Sequence, residues 1–227
     1  MDRVQDNAPI LQAAIPEDQR AAAARPLPGM APVSGDWWRR DAACAAQLAE
    51  KARLLAERPD DVLAVLPGAE AACAELYAMV AEGPVPAAPL RALAGVLQED
   101  LCILQKQGEA HVLTAALLCF PAGWTLAEKI GRPLGAIHGP VRSYDAGIAA
   151  RVQRLFDGVQ AGRPMWRANL LRYDSPALYQ PHSEAHPRPV GGPDSAYERS
   201  ERQTVLRLPR TGAVVFAIHT TMTRRQM

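Results

Sequence analysis

Residues 206–215 read LRLPRTGAVV and have the form of a β-hairpin, with Pro209 and Gly212 between two apolar segments. Its two strands are predicted at residues 205–208 and 213–220. The second of these is rich in β-branched and aromatic residues and is the clearest strand of the chain. Because a hairpin joins neighbouring strands that run in opposite directions, this stretch indicates an antiparallel sheet.

Further strands are predicted upstream of this hairpin. Residues 101–104 form a short strand, residues 106–109 (KQGE) resemble a turn, and residues 111–120 form a second, nearly all-apolar strand. Residues 166–173 are the next predicted strand. Residues 174–203 are polar and rich in proline, and are predicted to form an excursion outside the sheet.

Helices are predicted mainly in the first half of the chain. Apolar residues recur at helical spacing over residues 36–57, with Asp36 predicted to cap the helix. Shorter helices are predicted at the segments 60–66, 69–81 and 89–97.

Two helices are predicted in the second half of the chain. The segment 124–137 is helical but interrupted at residues 131–133 (GRP), and residues 144–160 form an amphipathic helix. Helices followed by an antiparallel sheet with inserted helices are typical of an α+β fold.

The chain is predicted to be organised in three parts. Residues 1–35 are rich in alanine, glutamine and proline and form a loosely ordered arm. Residues 36–97 are an N-terminal helical segment that packs on the core. Residues 98–227 are the core itself, which carries the sheet.

Charge and composition disfavour several classes of function. The 227 residues include 25 basic and 24 acidic side chains, and no basic cluster indicates binding to nucleic acid or to an anionic membrane. The longest apolar runs, such as residues 113–122, are too short to span a bilayer, and no signal peptide is evident. The four cysteines form no CxxC pair, which disfavours a disulfide framework or zinc site and favours a reducing cytoplasm.

His138 is the histidine with the most suggestive position. It closes the broken helix 124–137 and precedes Pro140, so its imidazole is expected to project from a last helical turn into a pocket. One axial histidine is an ordinary way to hold haem iron. A single histidine is also often structural, so the residues alone leave both interpretations open.

The other four histidines are weaker candidates. His182 and His186 have a spacing that would let them share a metal on a helix, but the neighbouring prolines disfavour a helix there. His111 opens a strand and is expected to be structural or exposed. By alternation, His219 lies on the sheet face opposite Phe216, and either faces a ligand cavity or is structural.

Other catalytic motifs are missing from the sequence, which contains no nucleotide-binding glycine loop, HExxH or GxSxG. Glu99 and Asp100 are adjacent carboxylates beside the first predicted strand. Adjacent strand residues point to opposite faces, so shared acid–base work is disfavoured, and one of the two is expected to cap a backbone turn.

Six blocks resemble one known family, in the same order and at similar spacing. They are residues 98–101 (QEDL), 119–124 (CFPAGW), 128–134 (EKIGRPL), 137–141 (IHGPV), 167–169 (RAN) and 208–218 (LPRTGAVVFAI). The ordered set resembles the DUF3445 family, the haem-dependent oxidative N-demethylase-like proteins, over roughly residues 38–222.

The resemblance implies a PAS-like antiparallel sheet with flanking helices that holds a b-type haem. It implies oxidative N-demethylation of a small secondary amine, such as dimethylamine, with O₂ to a primary amine and formaldehyde. Electrons would come from NADPH through flavin and iron–sulfur reductase subunits, so FMN and a 2Fe-2S cluster are expected only on partners.

Four residues are assigned to haem by this resemblance. His138 falls where haem-binding PAS proteins commonly have their proximal histidine, and is expected to be the iron ligand. Lys129, Arg132 and Arg167 are cations that could pair with the haem propionates. For each cation, a solvated surface charge is an equal alternative.

Three residues are assigned to the substrate pocket, and two positions depart from the family pattern. Asn169 is expected to share a strand face with Arg167, and His219 is expected to line the same pocket. Tyr144 either lines this pocket or packs against the helix that follows it. Arg142 replaces a usual proline and Leu170 replaces a usual aromatic residue; the second change could reshape the pocket.

Two alternatives to an active demethylase are open. The chain could be a haem-binding PAS-type sensor without catalysis, or a truncated, inactive relative. Family members typically continue into helical sequence past the last strand, whereas this chain ends at residues 223–227 (TRRQM), so the core is expected to be truncated and to expose apolar sheet surface. The resemblance names neither the amine nor the reductase.

Overall fold

The structure is a computed structural model and describes residues 8–26, 29–138, 146–189 and 191–226. The helices are α1 (Glu17–Ala23), α2 (Cys44–Glu57), α3 (Pro59–Val62), α4 (Glu70–Val80), α5 (Pro89–Ala92), α6 (Leu134–His138) and α7 (Ala146–Gly158). The strands are β1 (Ala31–Pro32), β2 (Leu63–Val65), β3 (Asp100–Gln107), β4 (Ala110–Leu117), β5 (Met165–Tyr173), β6 (Tyr197–Arg207) and β7 (Val214–Arg224). No helix in this part of the chain combines the length and apolar character needed to cross a bilayer.

The strands form one sheet in the order β1-β5-β6-β7-β3-β4-β2, and every neighbouring pair is antiparallel. The predicted hairpin is β6–β7, and its turn is closed by a bond of 2.9 Å from the Leu208 N–H to the Ala213 carbonyl. Gly212 in this turn has φ 71°, a conformation that favours glycine. The α+β class and the antiparallel sheet are therefore confirmed.

Alternation along the strands gives the sheet two faces with different coverings. On the first, here called the α2 face, Leu101 belongs to a buried cluster with Leu54 of α2. On the second, the α7 face, Cys102 belongs to a buried cluster with Phe156 of α7. Full burial of a leucine or phenylalanine side chain contributes about 1.5–3 kcal/mol, so these two clusters hold the helices on the sheet.

The N-terminal arm follows the sheet wherever it is described. β1 pairs with the start of β5, so that Ala31 lies opposite Trp166. α1 lies against β5, and the Ser200 hydroxyl on β6 donates a hydrogen bond of 2.8 Å to the buried Gln19 side chain. The arm thus covers one edge of the sheet.

β6 is much longer than predicted, and the sequence prediction was wrong here. The strand begins at Tyr197, within the stretch predicted as an excursion, and pairs along its whole length with β7. The error has a physical cause. Residues 198–203 are all polar, which is typical of a loop, yet most are buried and make hydrogen bonds within the sheet.

Of the helix predicted over residues 124–137 with a break at residues 131–133, only the part after the break is helical, as the five-residue α6. Residues 126–131 form turns instead, and Gly131 has φ 77°. β4 competes for the backbone here, because the Gly131 N–H donates to the Leu113 carbonyl at 2.8 Å and the Leu113 N–H donates to the Arg132 carbonyl at 3.1 Å. These bonds replace the helical ones and end the turns at Pro133, just before α6.

Three other predicted helices have different bounds, and the one predicted at residues 89–97 ends as an α-helix at Ala92. α2 begins at Cys44 and not near Asp36, since the backbone N–H of Arg39 donates to the Glu99 carboxylate at 2.6 Å and not to a helical carbonyl. Residues 63–65, predicted as helix, form β2 and pair with β4. The helix predicted at residues 144–160 corresponds to α7.

Candidate functional site

A row of polar side chains crosses the α7 face of the sheet. Arg167 on β5 lies opposite Gln203 on β6 and donates a hydrogen bond of 2.7 Å to its side-chain carbonyl. Two residues along, the Asn169 amide donates to a Glu201 carboxylate oxygen at 3.0 Å, and the Glu201 N–H donates back to Asn169 at 2.9 Å. Arg167 and Asn169 therefore share one face, as the strand alternation predicted.

Glu201 accepts hydrogen bonds from three side chains, and it was not predicted as a site residue from the sequence. Besides Asn169, the Gln203 amide donates to its carboxylate at 3.2 Å and the Arg199 guanidinium at 3.1 Å. Arg199 is fully buried and also donates to the carbonyls of Phe120 and Leu178. The alternation of Arg199, Glu201 and Gln203 would have indicated this row, had β6 been predicted to start at residue 197.

An apolar row lies next to the polar one on the α7 face. By register, Met165, Val205, Phe216 and Cys102 lie side by side across four strands. Helix α6 packs above this region with Leu134 and Ile137, in the same cluster as Phe156. The backbone of His138 ends α6, while its imidazole and Tyr144 lie outside the described part of the chain.

Two of the three predicted haem cations are paired with one carboxylate. The buried Lys129 ammonium donates to Glu184 at 2.6 Å and to the Ile137 carbonyl at 2.8 Å. The exposed Arg132 donates to the same Glu184 oxygen at 3.0 Å. Hydrogen bonds from Lys129, and the charges of both cations, hold the pKa of Glu184 below its usual range.

Arg167 is the predicted cation with free donors. Within the described ranges its one hydrogen-bond partner is the neutral Gln203, and no carboxylate lies within ion-pair distance of it. Burial lowers the pKa of Arg167, and the charge of Glu201 partly restores it. A partly buried guanidinium with donors to spare is suited to an added anion, such as a carboxylate.

His219 lies on the α2 face, away from Asn169. It is opposite Arg202 in the β6–β7 register, whereas Asn169, Glu201 and Thr220 form the neighbouring row on the α7 face. Its Nε2 is 3.1 Å from Asp41 and its Nδ1 is 3.3 Å from Glu99. The predicted alternation was correct, because His219 lies on the sheet face opposite Phe216. Arg167 and Asn169, however, lie on the same face as Phe216, so His219 is on the other side of the sheet from them.

The block 98–100 ties the N-terminal helices to the sheet. The Lys51 ammonium, which is fully buried on α2, lies 3.2 Å from the Asp100 carboxylate and also donates to the backbone carbonyl of Glu99. The Phe120 N–H donates to Asp100 at 2.6 Å, so the prediction that one of these acids caps a backbone turn is confirmed. Burial raises the pKa of Asp100, and the Lys51 charge opposes this shift.

The stability contributed by His219 is expected to depend on pH. Burial lowers the pKa of this histidine, but its hydrogen bond to Asp41 and the charges of the neighbouring Glu99 and Asp41 carboxylates outweigh burial and raise it overall. A raised folded-state pKa gives stability that is full below the unfolded value of about 6.5 and lost as the pH rises through the folded value. His219→Gln should therefore cost about 1.5–3 kcal/mol at acidic pH, the range for hydrogen bonds to charged groups.

This expectation is checked by urea unfolding of wild type and His219→Gln at mildly acidic and at alkaline pH. The difference in unfolding free energy should shrink markedly at alkaline pH. His186→Gln is the control, because His186 is exposed. A His219→Gln deficit that stays constant with pH would show that the imidazole is neutral in the folded protein.

Other candidates carry little chemistry. His111 is buried, with Nδ1 2.9 Å from the Gln153 amide and its ring edge-on to Phe156. His182 lies in irregular structure and His186 at the end of a turn, and in the described part of the chain no three His, Cys, Asp or Glu side chains converge as a metal site. Cys102 and Cys119 are buried and unpaired, as predicted.

The family model for haem-dependent oxidative N-demethylase, alpha subunit-like proteins matches residues 81–226, which is well over half of the chain. The matched range runs from before β3 to the end of β7 and contains the two rows of the α7 face, α6 and α7. The chain therefore belongs to this family. The name of the family states haem dependence and oxidative N-demethylation. It also compares its members to the alpha subunit of a complex with more than one subunit.

Proposed function

We propose that this protein binds a b-type haem on the α7 face of a PAS-like sheet and demethylates a small secondary amine, with dimethylamine as the model substrate. The observation that carries the proposal is the family match over residues 81–226, because it includes both His138 and the polar row of Arg167 and Asn169. The reaction balances as secondary methylamine, O₂, NADPH and a proton giving primary amine, formaldehyde, NADP⁺ and water.

The residues of the α7 face fit a haem chemically. A haem combines a flat apolar ring with anionic propionates, and this face has the half-buried Met165 and Phe216 of the apolar row beside Arg167, a cation without an ion-pair partner among the described residues. We propose that His138, at the end of α6, would bind the haem iron and that Arg167 would pair with a propionate. When bound, the haem iron supplies the activation of O₂ and the oxidation of the methyl group.

The protein side of substrate binding is assigned to Asn169 and Glu201. A secondary amine is an N–H donor, and a carboxylate has about four acceptor positions, of which Glu201 uses three. The free position on Glu201 would accept the amine N–H, and Asn169 would hold the carboxylate in place. Tyr144 remains a predicted pocket residue, and the structure favours Glu201 over His219 for this role because Glu201 is on the face of Arg167.

Partner subunits complete the proposal. The alpha subunit-like family description supports a complex, and we assign electron supply to an NADPH-dependent reductase with FMN and a 2Fe-2S cluster on its own subunits. We place the protein in the cytoplasm, because its cysteines are free and a reducing compartment keeps them so.

Haem binding and turnover test the proposal separately. Purified protein titrated with haemin should develop a Soret band that saturates at one haem per chain, and protein that stays colourless at saturating haemin would refute the proposal. With reductase, NADPH and dimethylamine, the loaded protein should release formaldehyde. Haem binding without amine-dependent O₂ consumption would instead identify a sensor or an inactive relative.

A further inference from the structure

A single side-chain amide joins two opposite charges on the α7 face. The Gln203 carbonyl oxygen accepts a hydrogen bond of 2.7 Å from the Arg167 guanidinium, and the Gln203 amide nitrogen donates one of 3.2 Å to the Glu201 carboxylate. The cation and the carboxylate are therefore separated by one amide group and two hydrogen bonds. Arg167 and Gln203 are only half-buried, so a small molecule can approach this part of the face.

Both charged groups keep hydrogen-bonding positions that the protein does not use. Arg167 has five N–H donors, and among the described residues it donates to Gln203 alone. The Oε2 atom of Glu201 accepts from Gln203 and Asn169, whereas Oε1 accepts only from Arg199 and retains a lone pair. A ligand that lies beside the Gln203 amide can thus accept from Arg167 and donate to Glu201, with the same polarity as that amide.

The distance between the two charges selects the length of such a ligand. In the Gln203 amide, one carbon separates the accepting oxygen from the donating nitrogen. In an α-amino acid, two carbons separate a carboxylate oxygen from the amine nitrogen. The amino acid is therefore only slightly longer than the amide, and it reaches both partners with hydrogen bonds of the ordinary ~2.7–3.2 Å.

The charges of the polar row favour a ligand that carries both signs. Glu201 lies 3.1 Å from the buried Arg199, so its charge is already balanced within the protein. Arg167 has no carboxylate within ion-pair distance in the described part of the chain, which leaves the row with one positive charge in excess. A dimethylammonium cation would meet this excess charge, whereas a zwitterion supplies an anion to Arg167.

We propose that the substrate is an N-methyl α-amino acid, with its carboxylate bound to Arg167 and its amine bound to Glu201. The inference rests on the proposed function and names the class of its substrate. The Arg167 guanidinium has enough donors to bind a haem propionate as well.

The reaction of such a substrate balances. The methyl C–H bond is oxidised to C–OH, and the C–N bond then breaks to give the amino acid and formaldehyde. O₂ takes two electrons from the methyl group and two from NADPH, and its atoms end in formaldehyde and water.

Isothermal titration calorimetry of the full chain, both haem-free and reconstituted with haemin, tests this substrate class. N-methylglycine should bind about 10-fold or more tightly than dimethylamine or acetate, because each of these lacks one of the two charge-assisted hydrogen bonds. N-methyl-β-alanine, which is one carbon longer, should also bind more weakly. With reductase and NADPH, N-methylglycine should give glycine and formaldehyde at a higher kcat/KM than dimethylamine gives methylamine.

Variants of Arg167 assign the preference to its guanidinium. Arg167→Met should bind N-methylglycine no more tightly than dimethylamine. Arg167→Gln should do the same, and it decides if circular dichroism shows that the methionine variant does not fold. Arg172→Met is the matched control and should keep the wild-type preference, because Arg172 is an exposed arginine on the opposite face of the same strand.

Two results would overturn the inference. One is a wild-type protein that binds N-methylglycine no more tightly than dimethylamine, and the other is an unchanged preference in the folded Arg167 variants. Failure of the proposed function looks different, since wild type would then take up no haem, or would release no formaldehyde from any secondary amine that it binds.

Discussion

Replacing Lys51 with methionine is expected to cost about 3–5 kcal/mol, the usual effect of removing one partner of a buried ion pair. Asp100, at the start of β3, would stay buried, and burial already raises its pKa, but the ammonium 3.2 Å away that opposes this shift would be gone. The carbonyls of Leu97 and Glu99 would lose a donor as well. Such a loss is a large part of the 5–15 kcal/mol that stabilises a typical domain.

Urea unfolding followed by circular dichroism measures this effect. Lys106→Met is the matched control, because Lys106 pairs with Asp157 at the surface and should cost no more than about 1 kcal/mol. Adding Asp100→Asn to Lys51→Met should recover part of the loss, since both buried charges are then gone. A Lys51→Met protein as stable as the Lys106→Met control would show that the pair contributes nothing to the fold.

Replacing His138 with alanine is expected to have the largest effect on function. If this imidazole is the axial ligand, its loss should weaken haem binding by more than the ~10–100-fold caused by losing an outer hydrogen-bond partner of a metal ligand. The Soret band of the reconstituted protein should fall or shift, and free imidazole added to the variant should restore it in part. Spectra of the ferric and ferrous forms provide the measurement.

His186→Ala is the control for this experiment, since it removes an exposed histidine from a turn. If His138→Ala keeps the wild-type spectrum, His111 becomes the next candidate for the iron ligand. Its Nε2 is buried and has no hydrogen-bond partner in the described structure. His111→Ala would then be expected to lose the band in place of His138→Ala.

Alternation and turn chemistry predicted the parts of the fold that obey local rules. The β6–β7 hairpin, the common face of Arg167 and Asn169, and the opposite placement of His219 and Phe216 all follow from a period of two residues. These patterns depend only on neighbouring residues, so a single sequence contains them.

The parts that were missed depend on contacts between distant segments. Arg199 and Glu201 make the start of β6 polar, and they can be buried only because Phe120, Leu178 and Asn169 supply partners far along the chain. Residues 126–130 were predicted helical because nothing local shows that Leu113 of β4 takes the backbone hydrogen bonds of Gly131 and Arg132. His219 was assigned to the substrate pocket because the sequence does not show which face the pocket occupies.

The position of β7 has a consequence for the way this protein acquires its structure. β7 lies between β6 and β3, and its partner β3 ends more than a hundred residues earlier in the chain. Until residues 214–224 have left the ribosome, no strand joins β3 and β4 to β5 and β6 in one sheet. Pairing across such a separation slows folding, so the nascent chain should expose two half-sheets with free edges, and rapid synthesis should favour aggregation.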